Sequence, residues 1–592
     1  MKDCIYYFLE IPKPSSRLFH VRCLIPKPAI QGQVVYLPSW LPGSYMIRDF
    51  AKQLFNFTAT SKAGKLAVQR VDKNTWIIES TNQAIELNYQ IYANDYSPRG
   101  AYIDSEKAFL NGSRIFVAVK GQEDKTCIVE LKKPEGADYK NWRVATSMSS
   151  SQPYAYDFGQ YQAQSYEAFI DHPIEMGLFE LTSFYPCEIQ HDIVISGKHS
   201  GQIKQFCEDS QKICEYFLEF FGKPYPIKYY VFLLHLVQDG YGGLEHRSST
   251  TLLSSRRALE DNAISSLEYQ GLLGLIAHEY FHLWNVKRIK PEIFMQMDLH
   301  QEVYTRQLWI FEGFTSYYDD LVLVRLNLME PTRYLQMLSE QISKYINTPG
   351  RLRQTVEEAS FEAWIKFYKP DEYSPNLSVS YYQKGSLIAL CLDLLLRHHS
   401  KNGSSLDTVM KVLWRDFGRK GIGLPEGAIT QVIEQATGYP IAAELAQWIS
   451  TTEELPLQTI FSYAGIACTL QTANENGAKW IDVLGIRLKA NATNEAQISY
   501  ILPEGSAEAA GLLVSDIIIA VNDYKVDKVR LENYKYTVIP ATCKITLFRD
   551  EYVKEIVVPL LDNKVMHCSL QMAENPTTLQ AEIYAAWLNP LV

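Results

Sequence analysis

The sequence contains two histidines four residues apart, with a glutamate directly after the first of them. These are His278, Glu279 and His282, in the segment HEYFH. Residues four apart lie on one face of a helix, so both imidazoles can reach the same metal ion. The adjacent glutamate is then placed to act as a base on a water molecule at the metal. The pattern predicts a zinc-dependent hydrolase, although the same spacing arises by chance in about a few per cent of chains of this length.

A catalytic zinc site also requires a third protein ligand and one open position. Three glutamates downstream are candidates: Glu292, Glu302 and Glu312. We favour Glu312, because its surroundings, WIFEGFT, are apolar and helical, and a carboxylate there needs a partner. Gly313 beside it costs about 1 kcal/mol in a helix relative to Ala, and a close packing contact at the site would explain its presence. Two turns further on, Asp319 could support a ligand, or it could face solvent.

Two further segments carry groups suited to peptide hydrolysis. In GGLEH, the glycines Gly242 and Gly243 would let the backbone approach a ligand closely. Glu245 could then bind the free amine of a peptide, which would restrict cleavage to the first peptide bond. The alternative is a plain glycine turn with surface charges. In YYQKG (381–385), a phenol at the head of a predicted helix could donate to a developing oxyanion, or it could be a core tyrosine.

The elements that must position these groups change in character along the chain. Residues 1–175 are rich in β-branched and aromatic residues with turn residues between them, which predicts an antiparallel β domain. Its predicted strands include 33–38, 75–80 and 113–120. Residues 176–300 are predicted to form a catalytic subdomain. It contains a helix at 203–222, a buried strand at 228–237 and the HEYFH helix at 265–285, where Ser265 and Glu268 form a capping-box pattern.

The second half of the sequence is first helical and then β-rich. Apolar stripes predict a helical bundle domain over 301–455, which would carry the third ligand. Its predicted helices are 306–329, 332–346, 380–399, 406–418 and 442–450. A β-rich module follows at 456–562, with predicted strands at 481–489, within 496–523, and within 543–558. Residues 563–592 are predicted to be a tail with a short helix at 577–587.

Composition excludes several classes of protein. The chain has 592 residues, which at roughly 150 residues per domain predicts about four domains. With 47% hydrophobic and 21% charged residues it is not a mainly disordered chain. The net charge of −10 argues against nucleic-acid binding, and no apolar run predicts a membrane span. The ten cysteines include no CxxC pair, which predicts mostly buried, reduced thiols and no thiolate zinc site.

Taken together, these segments resemble the M61 glycyl aminopeptidases, relatives of the M1 gluzincin aminopeptidases. The resemblance is carried by HEYFHLWNVKRIKP (278–291) and WIFEGFTSYY (309–318), and LPSWLPGSYMIRDFAK (37–52) resembles the N-terminal segment of that family. It covers almost the whole chain. It implies a multidomain α+β fold, in which an antiparallel β domain precedes a thermolysin-like α/β catalytic domain, a helical bundle and a PDZ-like β domain.

The resemblance also implies a role for each candidate residue. About one zinc ion per chain would be held by three ligands: His278, His282 and Glu312. Glu279 would be the general base and then the proton shuttle to the leaving amine. Glu245 occupies the glutamate position of the M1 GAMEN motif, and Tyr382 the tyrosine of the M1 YxKG motif. Two departures from M1 are a longer gap to the third ligand, as in M61, and His246 in place of the final Asn of GAMEN.

The module after 456 resembles a PDZ domain, a peptide-binding fold. Leu484, Gly485 and Ile486 are similar to its carboxylate-binding loop, and PEGSA (503–507) matches its middle. A PDZ domain binds an extended chain as an added strand at its sheet edge. The alternative is that the module only packs against the helical domain.

Three functions remain open from the sequence. The first is a zinc aminopeptidase, for which the family favours small first residues, Gly and Ala. The second is a PDZ peptide-binding protein with a non-catalytic peptidase scaffold, and the third is a zinc endopeptidase. The expected partners are peptides, with no nucleic acid and no membrane span, and the oligomeric state is not predicted. The first residues do not resemble a signal peptide, so we expect a cytoplasmic protein, or a periplasmic or secreted one whose signal has been removed.

Overall fold

The computed structural model describes most of the chain. The described residues are 3–150, 156–201, 203–260, 266–472, 479–489, 493–535, 539–561 and 565–588. The chain divides into two compact units. The first unit comprises Met1–Val303, Tyr318–Leu328 and Trp414–Leu424, and the second Tyr304–Tyr317, Met329–Leu413 and Pro425–Val592. Within the described residues, none of the helices has the length and apolar character that crossing a bilayer requires.

The N-terminal part of the first unit is a β domain built from three sheets. Its strands are β1 (Ile5–Glu10), β2 (Leu18–Ile25), β3 (Gln33–Tyr36), β4 (Leu54–Ser61), β5 (Gly64–Leu66), β6 (Val68–Arg70), β7 (Thr75–Ile78), β8 (Ile85–Tyr92), β9 (Asn94–Asp95), β10 (Ala101–Ile103), β11 (Lys107–Leu110), β12 (Ala118–Val119), β13 (Cys127–Leu131), β14 (Arg143–Ala145), β15 (Ser149–Ser150), β16 (Gly159–Ala163) and β17 (Ile174–Gly177). A short helix, α1 (Tyr166–Ile170), lies between β16 and β17. Alternating buried and exposed positions in β1, β2 and β8 place one face of the largest sheet on the core.

One predicted strand of this domain is largely wrong. Residues 113–120 begin in a 3-10 turn, Gly112–Arg114, and only Ala118–Val119 pair as a strand. The Asn111 side chain accepts a hydrogen bond from the Ser113 backbone N–H, and this local bond competes with strand pairing. The strands predicted at 33–38 and 75–80 are present as β3 and β7.

The rest of the first unit is built on a mixed five-stranded sheet. Its strands are β18 (Glu180–Phe184), β19 (Gln190–Ser196), β20 (Tyr229–Val237), β21 (Gly242–Glu245) and β22 (Ser249–Ser255), in the order β18-β19-β20-β22-β21. β19, β20 and β22 are parallel, and the edge strand β21 is antiparallel to β22. Two helices accompany it: α2 (Ile203–Phe221) and α3 (Leu267–Phe281). Because α3 packs against β21 and β22, the edge strand lies beside the HEYFH segment.

The middle of the chain is helical, as predicted. A π-helical turn, Trp309–Gly313, leads into α4 (Phe314–Arg325). The helices that follow are α5 (Pro331–Ile346), α6 (Val356–Phe361), α7 (Ser374–Leu377), α8 (Tyr381–Ser400), α9 (Leu406–Asp416), α10 (Ile429–Thr437), α11 (Ala442–Ser450) and α12 (Leu457–Ser462). The helix predicted over 306–329 is therefore interrupted at its start by the π turn, a feature that often marks functional sites.

The C-terminal part of the second unit is a β region. Its elements are β23 (Ile466–Thr472), α13 (Trp480–Leu484), β24 (Ile486–Leu488), β25 (Ala496–Ile501), α14 (Ser506–Ala509), β26 (Ile517–Val521), β27 (Tyr524–Lys525), α15 (Lys528–Asn533), β28 (Thr542–Arg549), β29 (Tyr552–Pro559), β30 (Met566–Met572) and α16 (Thr578–Leu588). β24 is the edge of a sheet ordered β24-β25-β26-β28-β29.

Two predictions for this region differ from the structure. The strand predicted at 481–489 begins as helix α13, because a short apolar run does not distinguish a helix from a strand. Gly485, with φ of 69°, ends that helix and lets the strand start at Ile486. The segment predicted as a tail contains β30, which pairs antiparallel with β23. The residues on either side of the module are thus joined in one two-stranded sheet.

Candidate metal centre and peptide site

The HEYFH helix is held at its start by a side-chain cap and along its length by burial. Ser266 is its N-cap, and its hydroxyl accepts a hydrogen bond from the Tyr269 N–H. The predicted cap, Ser265, lies outside the described residues. The helix ends at Phe281, so that His282 is at its C-cap, and the imidazole of His282 is buried.

The imidazoles of His278 and His282 face each other through their Nε2 atoms, which are 3.1 Å apart. The far nitrogen of each ring has an acceptor. His282 Nδ1 lies 2.6 Å from the carbonyl oxygen of Asn285, and His278 Nδ1 lies 2.9 Å from Asp319 Oδ2. A carbonyl can only accept, so His282 carries its proton on Nδ1, and an ionised Asp319 requires the same of His278. When both rings are neutral, the two Nε2 atoms face each other with their lone pairs.

This arrangement fits a divalent cation between the rings. Two lone pairs at 3.1 Å repel each other unless a positive charge lies near both. Two nitrogens bound to one zinc ion at tetrahedral angles are about 3.3 Å apart. Acceptors on the opposite ring nitrogens are the usual support of metal-binding histidines. Burial raises the pKa of Asp319 well above its usual range, and a cation between the rings would favour its ionised form.

Glu312, the favoured third ligand, is almost completely buried in the π turn. His278 and His282 belong to the first unit, and Glu312 belongs to the second. Among the described residues, neither Glu292 nor Glu302 belongs to a group of donors close enough to share an ion. Glu312 stays the predicted third ligand.

Gly313 has the close packing contact that its position in the helix led us to expect. A Cβ at Gly313 would lie 2.5 Å from the Cα of Gly385, on α8. Real Cβ atoms do not approach backbone this closely, so only glycine allows the π turn and α8 to pack together. The contact between the two glycines holds the π turn that carries Glu312 against the start of α8, within the second unit.

Glu279 is buried against the edge strand of the mixed sheet. A Cβ at Gly243 would lie 2.2 Å from Glu279 Oε1, so the backbone of β21 passes directly over the carboxylate. Gly242 is needed for a different reason, since its φ of 142° is a conformation that other residues rarely adopt. Burial raises the pKa of Glu279 to about 7, and Glu245 adds to the rise while the two histidines oppose it.

Glu245, the candidate amine ligand, is buried at the end of β21 with Oε1 lacking any hydrogen-bond partner among the described residues. Gly43 of the segment 37–52 lies against it, because a Cβ at that glycine would be 2.5 Å from Glu245 Oε1. The N-terminal β domain thus supplies one wall of the site. His246, which replaces the Asn of the M1 motif, turns its Nδ1 toward Asp171 Oδ1 at 3.2 Å.

Tyr382 lies in the first turn of α8, which is capped by the Ser380 side chain. Its half-buried ring packs against Phe367 and Tyr381, with ring centroids 5.3 Å and 4.8 Å away. This packing is also what a core tyrosine would show. The assignment of Tyr382 to the reaction stays a prediction.

In the C-terminal module, the predicted carboxylate-binding loop joins α13 to the edge strand β24. Leu484 is the last residue of the helix, Gly485 makes the turn, and Ile486 begins the strand. The module also packs on the helical region, since the Tyr500 hydroxyl donates to Asn376 Oδ1 over 2.7 Å. The module therefore has the edge strand beside a glycine turn that peptide binding requires, and it also has a buried contact with α7.

Comparison with known proteins identifies the family. A model of the peptidase M61 N-terminal domain matches residues 6–178, a model of M61 glycyl aminopeptidase matches 271–388, and a model of the PDZ domain matches 482–547. The crystal structure of an aminopeptidase N family protein from Idiomarina loihiensis aligns with a TM-score of 0.92 and 34% sequence identity. The alignment covers 99% of this chain and 100% of that one. The chain belongs to the M61 glycyl aminopeptidase family.

A more distant relative is Aminopeptidase N of Caulobacter vibrioides. It is 23% identical over 233 residues, and the alignment covers 38% of this chain but only 26% of that protein. Within this M61 protein, the catalytic family model includes the HEYFH helix, Glu312 and Tyr382. Glu245 lies outside both M61 models, so its role is argued from its position in the structure.

Sequence reasoning missed some groups that shape the site. The Asn285 carbonyl fixes the proton of His282, and a backbone acceptor leaves no signal in the sequence. Gly43 lies in a Pro-Gly turn, whose type is readable, but its contact with Glu245 is not. Asp319, which from the sequence could support a ligand or face solvent, contacts His278.

Asp319→Asn is expected to weaken zinc binding by about 10- to 100-fold, the usual cost of losing the acceptor behind a metal-binding histidine. An amide can present its NH2 group to His278 Nδ1 and so favour the wrong tautomer. Competition titration against a chromogenic chelator measures the change. Asp320→Asn, at the next position, is the control. Equal zinc affinity in the wild type and Asp319→Asn would contradict the role of Asp319.

Proposed function

We propose that this M61 protein is a zinc-dependent aminopeptidase that removes residues from the N-terminus of peptides. The observation that carries the proposal is the pair of facing Nε2 atoms of His278 and His282, 3.1 Å apart. Each ring is oriented by an acceptor behind it, and Glu279 lies on the same helix. Glu312 is the proposed third ligand. A bound zinc ion would supply Lewis acidity, polarising the scissile carbonyl and lowering the pKa of a water molecule.

Glu279 is the proposed general base. It takes a proton from the attacking water and delivers it to the departing amine. Gly243 supports this role, because the backbone of β21 lies against Glu279 and fixes the position of its carboxylate. Burial keeps the carboxyl away from bulk solvent and raises its pKa, which makes the carboxylate a stronger base.

Glu245 is the proposed binding group for the peptide amine. Its Oε1 is buried without a partner among the described residues, and a buried carboxylate oxygen is stabilised by a cation. An α-ammonium bound there would place the first peptide bond near Glu279. The preference for Gly or Ala as the first residue is proposed from the family alone.

If the protein is an exopeptidase, cleavage of a peptide requires its free N-terminal amine. Acetylating the N-terminus of a model substrate such as Ala-Ala-Ala is expected to lower kcat/KM by at least about 100-fold, because the ammonium can no longer pair with Glu245. Mass spectrometry of the products gives the rate and the position of cleavage. Equal cleavage of both peptides would favour the endopeptidase alternative.

Tyr382→Phe is expected to lower kcat by about 10²- to 10³-fold with little change in KM, because a donor to the oxyanion acts mainly in the transition state. Steady-state kinetics on an alanyl anilide separates the two constants. Tyr381→Phe, at the neighbouring position, is the matched control. A kcat equal to that of the wild type would remove Tyr382 from the reaction.

A second candidate function is peptide binding by the PDZ domain without catalysis. It is favoured by β24, an edge strand of three residues that begins directly after Gly485. The metal content discriminates between the two. About one zinc per chain, removed by a chelator together with aminopeptidase activity on a panel of aminoacyl anilides, supports the enzyme. Peptide capture by a protein that binds no metal would support the binding protein.

A further inference from the structure

A cavity of about 540 Å³ in the first unit borders Glu245. Trp40, Gly43 and Tyr45 of the N-terminal β domain form part of its wall, and Lys290 and Phe294, from the chain after α3, also line it. This volume is within the range of small-molecule sites. The cavity is therefore large enough for part of a substrate whose amine is at Glu245.

Lys290 is an unpaired cation in this cavity. The residue is only 8% exposed, yet among the described residues its Nζ forms no ion pair and no hydrogen bond. Burial, together with the nearby Arg247 and Lys287, lowers the pKa of Lys290 to about 8. A buried ammonium without a partner costs free energy, which a bound anion would recover.

The acidic groups closest to Lys290 already have partners. Asp171 accepts from Lys287 Nζ over 2.8 Å and contacts His246, and Glu167 lies 3.9 Å from the Arg247 guanidinium. Neither of these two acids is therefore paired with Lys290. A ligand carboxylate would find the Lys290 ammonium free to donate, with Arg247 also lining the cavity.

We propose that Lys290 binds a carboxylate of the substrate, in the cavity that Glu245 also lines. The inference rests on the proposed aminopeptidase function and deepens it. A cavity that presents the Glu245 Oε1 oxygen and the Lys290 ammonium, neither paired with another described residue, is complementary to a ligand that carries both an ammonium and a carboxylate. Two sources have that chemistry: an acidic side chain on the first residue, and the C-terminus of a short peptide.

Equilibrium binding to the Glu279→Gln protein tests the site without turnover. Calorimetry compares glutamic acid α-amide with glutamine amide, which differ only in the side-chain charge. A second pair, Ala-Ala and Ala-Ala amide, differs only at the C-terminus. We expect the carboxylate ligand of at least one pair to bind 10-fold or more tightly than its neutral partner, and the pair that shows the difference identifies the source.

Lys290→Met in the same background is expected to reduce that ratio to about 1, whereas Lys290→Arg keeps most of it. Lys204→Met, at an exposed position on α2, is the control and keeps the full ratio. A structural lysine would lower the Tm when replaced, but removing an unpaired buried charge should leave the Tm equal or higher. A ratio near 1 for both pairs, or one that survives Lys290→Met, overturns the proposal.

The outcome for Lys290 is separable from that for the enzyme. If the wild type hydrolyses alanyl anilide but both binding ratios are near 1, only the carboxylate site is refuted. If the carboxylate ligand binds much more tightly than its neutral partner and this ratio depends on Lys290, the carboxylate site is supported. If the wild type then hydrolyses none of the aminoacyl substrates, only the aminopeptidase function is refuted.

Discussion

Glu279→Gln is expected to lower kcat by at least about 100-fold, and by up to about 10⁴-fold, while about one zinc ion per chain remains bound. The amide has nearly the same shape as the carboxylate but cannot accept a proton. We expect the variant to fold, because the Glu279 side chain packs against the backbone of Gly243, and a neutral amide can occupy the same space. Kinetics on glycyl and alanyl anilides, with metal content from mass spectrometry, measure both parts of the prediction.

Glu268→Gln is the matched control for this variant. Glu268 is on the same helix as Glu279 but exposed in its first turn, so the substitution changes the charge without touching the site. The control should keep wild-type kcat. Full activity in Glu279→Gln would refute the general-base mechanism, and loss of zinc from it would leave that mechanism without support from this variant and require a redesign with Glu279→Asp.

The sequence best predicts those site residues that lie close to one another along the chain. His278 and His282 are one helical turn apart, so their common face follows from the helix period alone. The apolar surroundings of Glu312 and the presence of Gly313 gave a second local signal, and the contact of Gly313 with Gly385 accounts for that glycine. The resemblances to the M61 family and to the PDZ domain are confirmed by the comparisons, whereas the role of Tyr382 stays a prediction.

The parts that could not be predicted depend on contacts between distant segments. Gly43 and Glu245 are far apart in sequence, and only the tertiary fold places them together. The residues beside Asp319 in the sequence do not distinguish it from a solvent-facing residue of α4. Its contact with His278 depends on how two helices pack. Residues 115–117 have high strand propensity, but the hydrogen bond that the Asn111 side chain accepts from the Ser113 N–H favours a turn just before them.

These contacts also show how the N-terminal β domain takes part in the site. Arg99 donates to the Gly243 carbonyl over 2.9 Å, so the β domain fixes the strand that lies over Glu279. Gly43 does the same beside Glu245. A domain that sequence analysis describes only as β-rich therefore positions the proposed base and the proposed amine ligand.

His282→Ala is expected to weaken zinc binding by more than about 100-fold, which exceeds the effect of Asp319→Asn, because it removes a ligand and not its support. Activity at limiting zinc should fall with it. His282 is almost completely buried, so the substitution also leaves a cavity and lowers stability. Zinc affinity from chelator competition, measured below the Tm of each variant, separates loss of the ligand from loss of the fold.

His191→Ala is the control that makes this test decisive. His191 is equally buried, with Nε2 2.9 Å from the Tyr280 hydroxyl and Nδ1 2.9 Å from the Ile189 carbonyl. Both nitrogens have protein partners, so this imidazole has no lone pair to offer an ion. Its removal should lower the Tm by a comparable amount and leave zinc affinity unchanged. Wild-type zinc affinity in His282→Ala would place the metal elsewhere, and the facing imidazoles would then need another explanation.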